Sequence, residues 1–541
     1  MIDAVASRII VLWGWRRLLL AFLAGAASAL SMPPYDLFPV LVITLPIFVW
    51  LIDGTVGPSH RSRIGAAIAI GWAFGFGYFL AGLWWIGAAF LVEADVFGWM
   101  LPFAIIILPG GLALFPAIAA GLARLFWRNG PQRIFVFALF LSLGELTRGV
   151  ILTGFPWNAF GYALTGSPLL MQTASLVGIN GLTVLTLFIF ASPAALSGGG
   201  SRLARLCVPT LGLALFAGIA GFGALRLSQA GPVADPIAGS GPRLRIVQPA
   251  IPQAEKWQPE NRNRIFADYL ALSDTSSSPE TAGIGGVDML IWPESALPFL
   301  FDVEPGALPA IAALLPPETT LITGMQRLER NATDPQSGPE VARVYNSVML
   351  IDHQGTILDV YDKTWLVPFG EFLPFQALLE SFGLRQLTNV VGGFTAGPGP
   401  KTLSTDAIAP FAPLVCYEAI FSGAFIDLET RPEWILNVTN DAWFGDSPGP
   451  WQHLRQARLR AVEEGLPLVR AANNGISAVV DPYGRFVARL GLDVRGVIDS
   501  TLPGNLPPTR FRKSGGLVLL GLLLALAIGG LVRNPTNKVE V

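Results

Sequence analysis

Apolar residues run in eight long blocks, at about 9–31, 37–52, 65–92, 98–123, 134–152, 175–197, 207–226 and 515–532. Blocks of this length without a polar stripe have no water-facing side, so they predict membrane-crossing helices. Arg16 and Arg17 interrupt the first block, and Gly and Pro sit inside the third and fourth. Both are tolerated in membrane helices, where neighbours satisfy the freed backbone groups. The N-terminus also imitates a secretory signal, with two arginines, an apolar run and small residues at 26–29. The blocks that follow favour a retained first anchor.

Between the seventh and eighth blocks, from about Gly231 to Thr509, the pattern changes. A Gly/Pro/Ala-rich linker at 230–242 opens this stretch. Short strand-like runs follow at 244–247, 289–292, 320–323, 347–351, 414–416, 434–438 and 476–480, and helical patterns interleave at 261–273 and 451–464. Strands alternating with helices predict an α/β domain. The chain therefore divides into an N-terminal membrane domain of about seven transmembrane helices over 1–229, an α/β domain over 243–505, and a C-terminal transmembrane helix with a short tail over 510–541. No internal repeat is visible.

Composition agrees with the pattern. Of 541 residues, 52% are hydrophobic and 14% charged, too apolar a balance for a soluble protein of this size. A net charge of −2 gives nucleic acid no purchase, and a neutral or lipidic partner fits better. Two cysteines, Cys207 and Cys416, make a disulfide framework a poor fit. With His60, His353 and His453 they offer few ligands for zinc. No metal and no cofactor is expected.

Loop charges set the expected orientation. Arg8, Arg16 and Arg17 open the chain. His60, Arg61 and Arg63 follow the second block, Arg124, Arg128 and Arg133 the fourth, Arg202 and Arg205 the sixth, and Arg533 and Lys538 the eighth. The alternate loops carry Glu93 and Asp95 or, over 154–174, no charge. By the positive-inside rule both termini are cytoplasmic. The α/β insert then lies across the membrane, in the periplasm of a Gram-negative cell.

Three motifs place polar residues just after apolar strands: Trp292-Pro293-Glu294-Ser295, Tyr361-Asp362-Lys363 continuing to Val367-Pro368-Phe369-Gly370-Glu371, and Val415-Cys416-Tyr417-Glu418. Strand ends are where loops of an α/β sheet converge. A thiol becomes a good nucleophile on losing its proton, a carboxylate can take that proton, and an ammonium can steady an oxyanion. Each residue alone has a plainer reading. Cys416 fits a small buried hydrophobe, Glu294 a helix-capping loop carboxylate, and Lys363 a solvated surface lysine.

Together, and in this order, the motifs resemble the carbon–nitrogen hydrolase (nitrilase) superfamily. With flanking membrane blocks the resemblance narrows to the apolipoprotein N-acyltransferase family. Further matches are Gln248-Pro249 with Lys256-Trp257, Tyr345-Asn346-Ser347, the run from Asn437 to Gly445, Arg470 with Asn473-Asn474-Gly475, and Gly154-Phe155-Pro156-Trp157.

The resemblance implies a multi-pass α-helical membrane bundle carrying an α/β nitrilase-like αββα sandwich. It implies Glu294 as base, Lys363 as stabiliser and Cys416 as nucleophile, with support from Glu371, Tyr417 and Glu418. Trp257, Trp443 and Trp157 are implied as substrate-binding or gating residues; as plain tryptophans they read equally as interfacial or core side chains. The implied reaction moves an acyl chain from a phospholipid donor to a diacylated apolipoprotein at the bacterial inner membrane. Two other readings stay open: a membrane-tethered amidase or nitrilase that uses water, and an inactive membrane scaffold. The intact Glu294, Lys363 and Cys416 argue against the scaffold.

Two other features stand outside the motifs. Glu145 and Arg148 lie three apart inside an apolar block and predict an ion pair on one helix face, functional or structural. His453, on the helix expected at 451–464, is the one imidazole near the motifs; a structural role fits it better than a Cys–His dyad, since Glu294 and Lys363 already complete an arrangement.

Overall fold

The computed structural model describes residues 2–276, 283–329, 343–381, 385–388, 390 and 392–531. Arg533 and Lys538, used above for orientation, lie outside the described residues. The chain forms two compact units. One comprises Met1–Gly87, Met100–Gly231 and the chain from Thr509; the other comprises Ala88–Trp99 and Pro232–Pro508.

In the first unit apolar helices dominate. Among the described residues, five helices are long and apolar enough to cross a membrane: His60–Leu91, Ala94–Leu125, Ala174–Leu196, Arg202–Ser228 and Arg510–Leu531. The protein is thus a multi-pass membrane protein. The other expected blocks form shorter helices. Leu41–Asp53 and Gln132–Arg148 are two of them. The first block breaks into Ile2–Ile10 and Gly14–Ser28. Arg17 explains the break: its guanidinium donates to the Leu12 carbonyl (2.7 Å) and to the Gly54 carbonyl (2.8 Å), satisfying two helix ends at once. The block at 98–123 is interrupted at Ala113. Pro116 has no N–H for the Leu112 carbonyl, which favours the interruption there.

Helices Gly14–Ser28 and His60–Leu83 touch backbone to backbone. A Cβ on Gly25 would fall 1.9 Å from the Phe74 carbonyl oxygen, and one on Gly77 would fall 2.1 Å from that of Phe22. Small residues permit such close approach where the surrounding lipid gives little hydrophobic drive for association. Buried charges in this unit have partners. Arg133 pairs with Asp53 at 3.1 Å and donates to the carbonyls of Gly130, Ala194 and Ser197. Arg148 pairs with Glu145 at 2.7 Å and also donates to the Phe155 and Trp157 carbonyls. The expected pair exists, and it holds the 155–157 loop as well.

Among the described residues the second unit has eleven strands: β1 (Arg243–Gln248), β2 (Met289–Trp292), β3 (Thr320–Glu329), β4 (Arg343–Ile351), β5 (Ile357–Asp362), β6 (Phe411–Val415), β7 (Trp434–Thr439), β8 (Leu468–Ala472), β9 (Ala478–Val480), β10 (Phe486–Arg489) and β11 (Gly496–Thr501). One sheet runs β11-β1-β2-β3-β4-β5 and the other β10-β9-β8-β7-β6. Both mix parallel and antiparallel pairs.

Alternation along the strands shows the layering. Leu244, Ile246, Met289, Ile291, Ile322, Val348 and Leu350 point into one core with Val415, Leu436, Val438, Val469 and Val479 from the other sheet. The alternate residues Val247, Leu290, Trp292, Leu321 and Met349 pack against helices Arg262–Ser273 and Ala307–Leu314. Ala412, Leu414, Ile435 and Leu468 pack against helix Gly449–Glu464. Two sheets with helices on both outer faces make the expected αββα sandwich. Strands buried on both faces read as continuous apolar runs, which is why the sequence exposed most of them.

The differences are local. β8, β10 and β11 were not expected, the strand expected before Lys363 without stated bounds is β5, and Cys416 is not on a strand: β6 ends at Val415. β8 carries a buried Arg470 in its middle, and β10 and β11 are half-exposed, so neither shows a plain apolar run.

Candidate active site

Three strand ends carry the three motif residues. Glu294 lies two residues beyond β2, Lys363 follows β5 directly, and Cys416 follows β6 directly. Each strand fixes a backbone, and the turn beyond it aims a side chain. Cys416 has φ of 50° and opens a tight turn, Cys416–Ile420. Ser295 has φ of 45°. A left-handed backbone at a non-glycine residue costs of order 1 kcal/mol or more and persists where its surroundings enforce it. Gly324 on β3 makes room for the Glu294 turn, since a Cβ there would sit 2.6 Å from Glu294 Cα.

The structure brings Glu294, Lys363 and Cys416 together, all buried. Lys363 Nζ contacts both oxygens of Glu371, at 2.9 and 2.8 Å, and lies 3.9 Å from Glu294 Oε1. Its main chain is held on both sides, by Asn346 O and Gly397 N–H, each at 2.8 Å. Glu294 accepts from Asn346 Nδ2 at 2.8 Å on Oε1, and from the Asn440 N–H at 2.8 Å on Oε2. Its carbonyl accepts from Lys256 Nζ at 3.2 Å. Asn346 also donates to Glu371 Oε1 at 3.1 Å, so one amide spaces the two carboxylates.

Burial and charge decide the protonation states. Burial raises Glu294 above the usual carboxylate range; Lys363 opposes that rise and Glu371 adds to it. Burial works against the Lys363 ammonium, but Glu371 and Glu294 outweigh it and hold Lys363 above the ordinary lysine value. Burial and the nearby Glu294 push the Cys416 thiol up, with Lys363 pulling the other way. The proton therefore rests on sulfur in the free site. A carboxylate of raised pKa is the stronger base for it, and a fixed cation stands where negative charge can grow.

The supporting residues fall into place differently. Glu371 grips Lys363 and accepts from the Val367 N–H at 2.8 Å. Glu418 has no free oxygen: Oε1 accepts from Tyr361 Oη (2.8 Å), Thr364 N–H (2.7 Å) and Trp365 N–H (3.1 Å), and Oε2 from Val415 N–H (2.8 Å). It ties the residue before Cys416 to the residues after Lys363. Tyr417 is buried, edge-on to Phe421 at 5.3 Å. Trp257 is 39% exposed beside Lys256, and Trp443 is half-buried on the turn Asp441–Phe444. Trp157 belongs to the first unit, buried against Trp85 and Phe155.

Beyond Cys416 lies a second polar cluster. Arg470 Nη2 donates to Asp441 Oδ2 at 2.7 Å, and Thr439 Oγ1 to Asp441 Oδ1 at 3.0 Å. His453 Nδ1 lies 2.8 Å from Asp441 Oδ1, and Nε2 lies 2.9 Å from the Cys416 carbonyl. Burial opposes ionisation of Asp441, yet Arg470 and His453 hold it down at about 2. Burial and Arg470 keep His453 below the ordinary imidazole value. The imidazole meets the main chain of Cys416, as a structural histidine would. Lys256, Asn346 and Asn440 lay within matched motifs, but nothing in their spacing revealed that they converge on Glu294.

The comparisons agree with this architecture. The profile of the apolipoprotein N-acyltransferase N-terminal domain matches residues 24–192, and that of carbon–nitrogen hydrolases matches 243–510. A Rhodopseudomonas palustris protein called apolipoprotein N-acyltransferase is 50% identical over 97% of both chains. One of the same name from Bradyrhizobium diazoefficiens is 49% identical over 99% of this chain and 98% of its own. Among solved structures, an amidase from Nesterenkonia sp. is 18% identical with a TM-score of 0.35, covering 54% of this chain and 99% of that one. The profile match over 243–510 makes that region a carbon–nitrogen hydrolase domain, carried by a chain that crosses the membrane several times. The chain belongs to the apolipoprotein N-acyltransferase family.

Proposed function

We propose that this enzyme moves an acyl chain from a membrane phospholipid to the α-amine of an N-terminal diacylglyceryl-cysteine, through a thioester on Cys416. The observation that carries the reading is the set of one base, one fixed cation and one thiol, buried together at three strand ends. Glu294 takes the thiol proton as sulfur attacks the ester carbonyl. The oxyanion develops toward the Lys363 ammonium. Collapse breaks the C–O bond, and Glu294 returns the proton to the departing lysophospholipid alkoxide. In the second half the neutral amine attacks the thioester, Glu294 accepts its proton, and the C–S bond breaks to give amide and thiol. Glu371 keeps Lys363 charged and placed, Glu418 and Tyr417 fix the nucleophile's turn, and Trp257, Trp443 and Trp157 bind or gate substrate.

In this reading residues 243–505 are the periplasmic catalytic domain. Residues 1–229 and 510–541 anchor it in the inner membrane, with both termini cytoplasmic. The loop arginines support that orientation. Both substrates keep their chains in the bilayer, so a site tethered to membrane helices on both sides meets them there.

The test is intact-mass analysis of the purified protein after incubation with phospholipid, then a chase with a diacylated lipopeptide. An acyl adduct on Cys416, discharged by the lipopeptide and absent from Cys416→Ser, is the expected result; Cys207→Ser behaves as wild type. Acyl transfer by the Cys416→Ser protein would rule out the thioester. Release of free carboxylate from a soluble amide, with no adduct from lipid, would favour an amidase.

A further inference from the structure

Lys256 is a lysine with nothing on its side chain in water. It is fully buried, on the short helix Gln253–Lys256. Among the described residues its ammonium has a single hydrogen-bond acceptor, the Glu294 carbonyl at 3.2 Å, so two of its three N–H donors are unfilled. Its nitrogen also lies 5.9 Å from the Trp257 ring centroid, within range of a weak cation–π contact. Burying an ammionium-bearing chain with so little hydrogen bonding is costly, and a neutral side chain of similar shape would avoid the cost.

The charge count around Glu294 shows what the cation does. The charged and titratable groups facing Glu294 are Lys363 after β5, Glu371 in the following loop, Cys416 after β6, and Lys256. Asn346 and the Asn440 N–H add neutral hydrogen bonds. Glu294 and Glu371 as carboxylates with Lys363 alone leave one negative charge uncompensated in a buried site. Lys363, moreover, is drawn to Glu371 at 2.8 Å and stands off from Glu294 at 3.9 Å.

We propose that Lys256 is a positioning residue of the reaction: fixed to the Glu294 main chain, it supplies the second positive charge that lets Glu294 and Glu371 be ionised together beside Cys416. Its charge acts through Glu294 and touches no reacting atom. Burial draws the Lys256 ammonium down to about 8 and Glu294 draws it back up, the reciprocal of the hold that Lys256 has on Glu294. The inference rests on Glu294 being the base.

The experiment measures the initial rate of thioester formation by the full-length protein in vesicles of phosphatidylethanolamine and phosphatidylglycerol, from about pH 5 to about pH 9. Lys256→Met removes the charge and keeps an unbranched apolar stem. Its acidic limb is expected to move up by about one pH unit, so thioester forms about tenfold more slowly below the limb while the plateau is kept. Lys256→Arg keeps the charge and the wild-type limb. If Lys256→Met does not fold, Lys256→Gln carries the same expectation. A lower plateau with an unmoved limb overturns the proposal, because a merely structural lysine gives that result. Glu294→Gln separates this failure from failure of the base: if that variant forms thioester at the wild-type rate, Glu294 is not the base and both readings fall.

Discussion

Two buried polar clusters adjoin Cys416. In one, Asp441 sits 2.7 Å from Arg470, and its carboxyl is held down at about 2. In the other, Glu294 sits 3.9 Å from Lys363, and its carboxyl is raised. Both carboxylates are buried, so burial alone does not separate them. Their partners do. Asp441 has Arg470 at hydrogen-bond contact together with His453 and Thr439, whereas Glu294 has its cation at 3.9 Å rather than 2.7 Å, at about two-thirds of the Coulomb attraction, and the like charge of Glu371 beside it. Lys363 cannot do the same for Glu294 because Glu371 holds it closer. A compensated carboxylate stabilises the fold; an under-compensated one is ready to accept a proton. The comparison predicts that charge removal costs activity in one cluster and stability in the other.

The largest effect is expected in the Glu294 cluster. Lys363→Ala removes the cation proposed to face the oxyanion, and loss of one such group costs about 10²–10³ in rate. In the proposed mechanism Lys363 acts in both half-reactions, so supplying a preformed thioester is not expected to restore activity. Glu294→Gln prevents thioester formation but is partly rescued in the second half, where the amine can lose its proton elsewhere. Lys363→Ala leaves Glu371 buried without its partner at 2.8 Å, so its rate is read on the folded fraction, whereas Glu294→Gln is expected to leave the fold intact. In Glu294→Gln, relief from burying a charge offsets the hydrogen bond lost from the Asn440 N–H, leaving a net change of about 1 kcal/mol at most. Single-turnover rates and melting curves on the same samples check both halves. A melting temperature of Glu294→Gln that falls with its rate would dissolve the distinction between the clusters.

How much of this was legible beforehand follows from what each cluster needs. Glu294, Lys363 and Cys416 each stand beside a recognisable strand, and their order along the chain carried the resemblance. Most strands were legible because burial on both faces makes them continuous apolar runs. The distances that set the protonation states arise only when β2, β5 and β6 come together from three sequence regions. Asp441, His453 and Arg470 come from three further elements, and Arg470 in the middle of β8 disguised that strand. The left-handed backbone of Cys416 leaves no mark in residue types, which is why the residue was read onto the end of its strand.

An effect of comparable size is expected in the Asp441 cluster, and it is on stability. Asp441→Asn leaves Arg470 buried without its carboxylate, at a cost of about 3–5 kcal/mol. Protonating Asp441 probes the same interaction more gently. A fall from 3.8 to about 2 corresponds to roughly 2 kcal/mol. Because the folded-state value is depressed, this contribution is complete above the unfolded value of 3.8 and is lost as pH falls through about 2. Urea unfolding of wild type should therefore lose stability across that window, and the Asn variant should lack that component. An Asn variant as stable as wild type, with the same acid dependence, would show that the pair does not hold the fold.

The smallest effect is expected where the clusters meet. His453 Nε2 lies 2.9 Å from the Cys416 carbonyl, so the ring supports the nucleophile's turn without reaching its proton. Glutamine offers an amide N–H at a similar reach from the backbone but no proton-accepting ring nitrogen. His453→Gln should therefore keep the hydrogen bond to Cys416, lose the contact with Asp441, and destabilise the domain by about 1 kcal/mol. Thioester formation should stay within a few-fold of wild type. The comparison would break at this residue if His453→Gln lowered the acylation rate as far as Glu294→Gln does while melting normally. The imidazole would then be moving the proton, the Asp441 cluster would be the reactive one, and the two clusters would exchange roles.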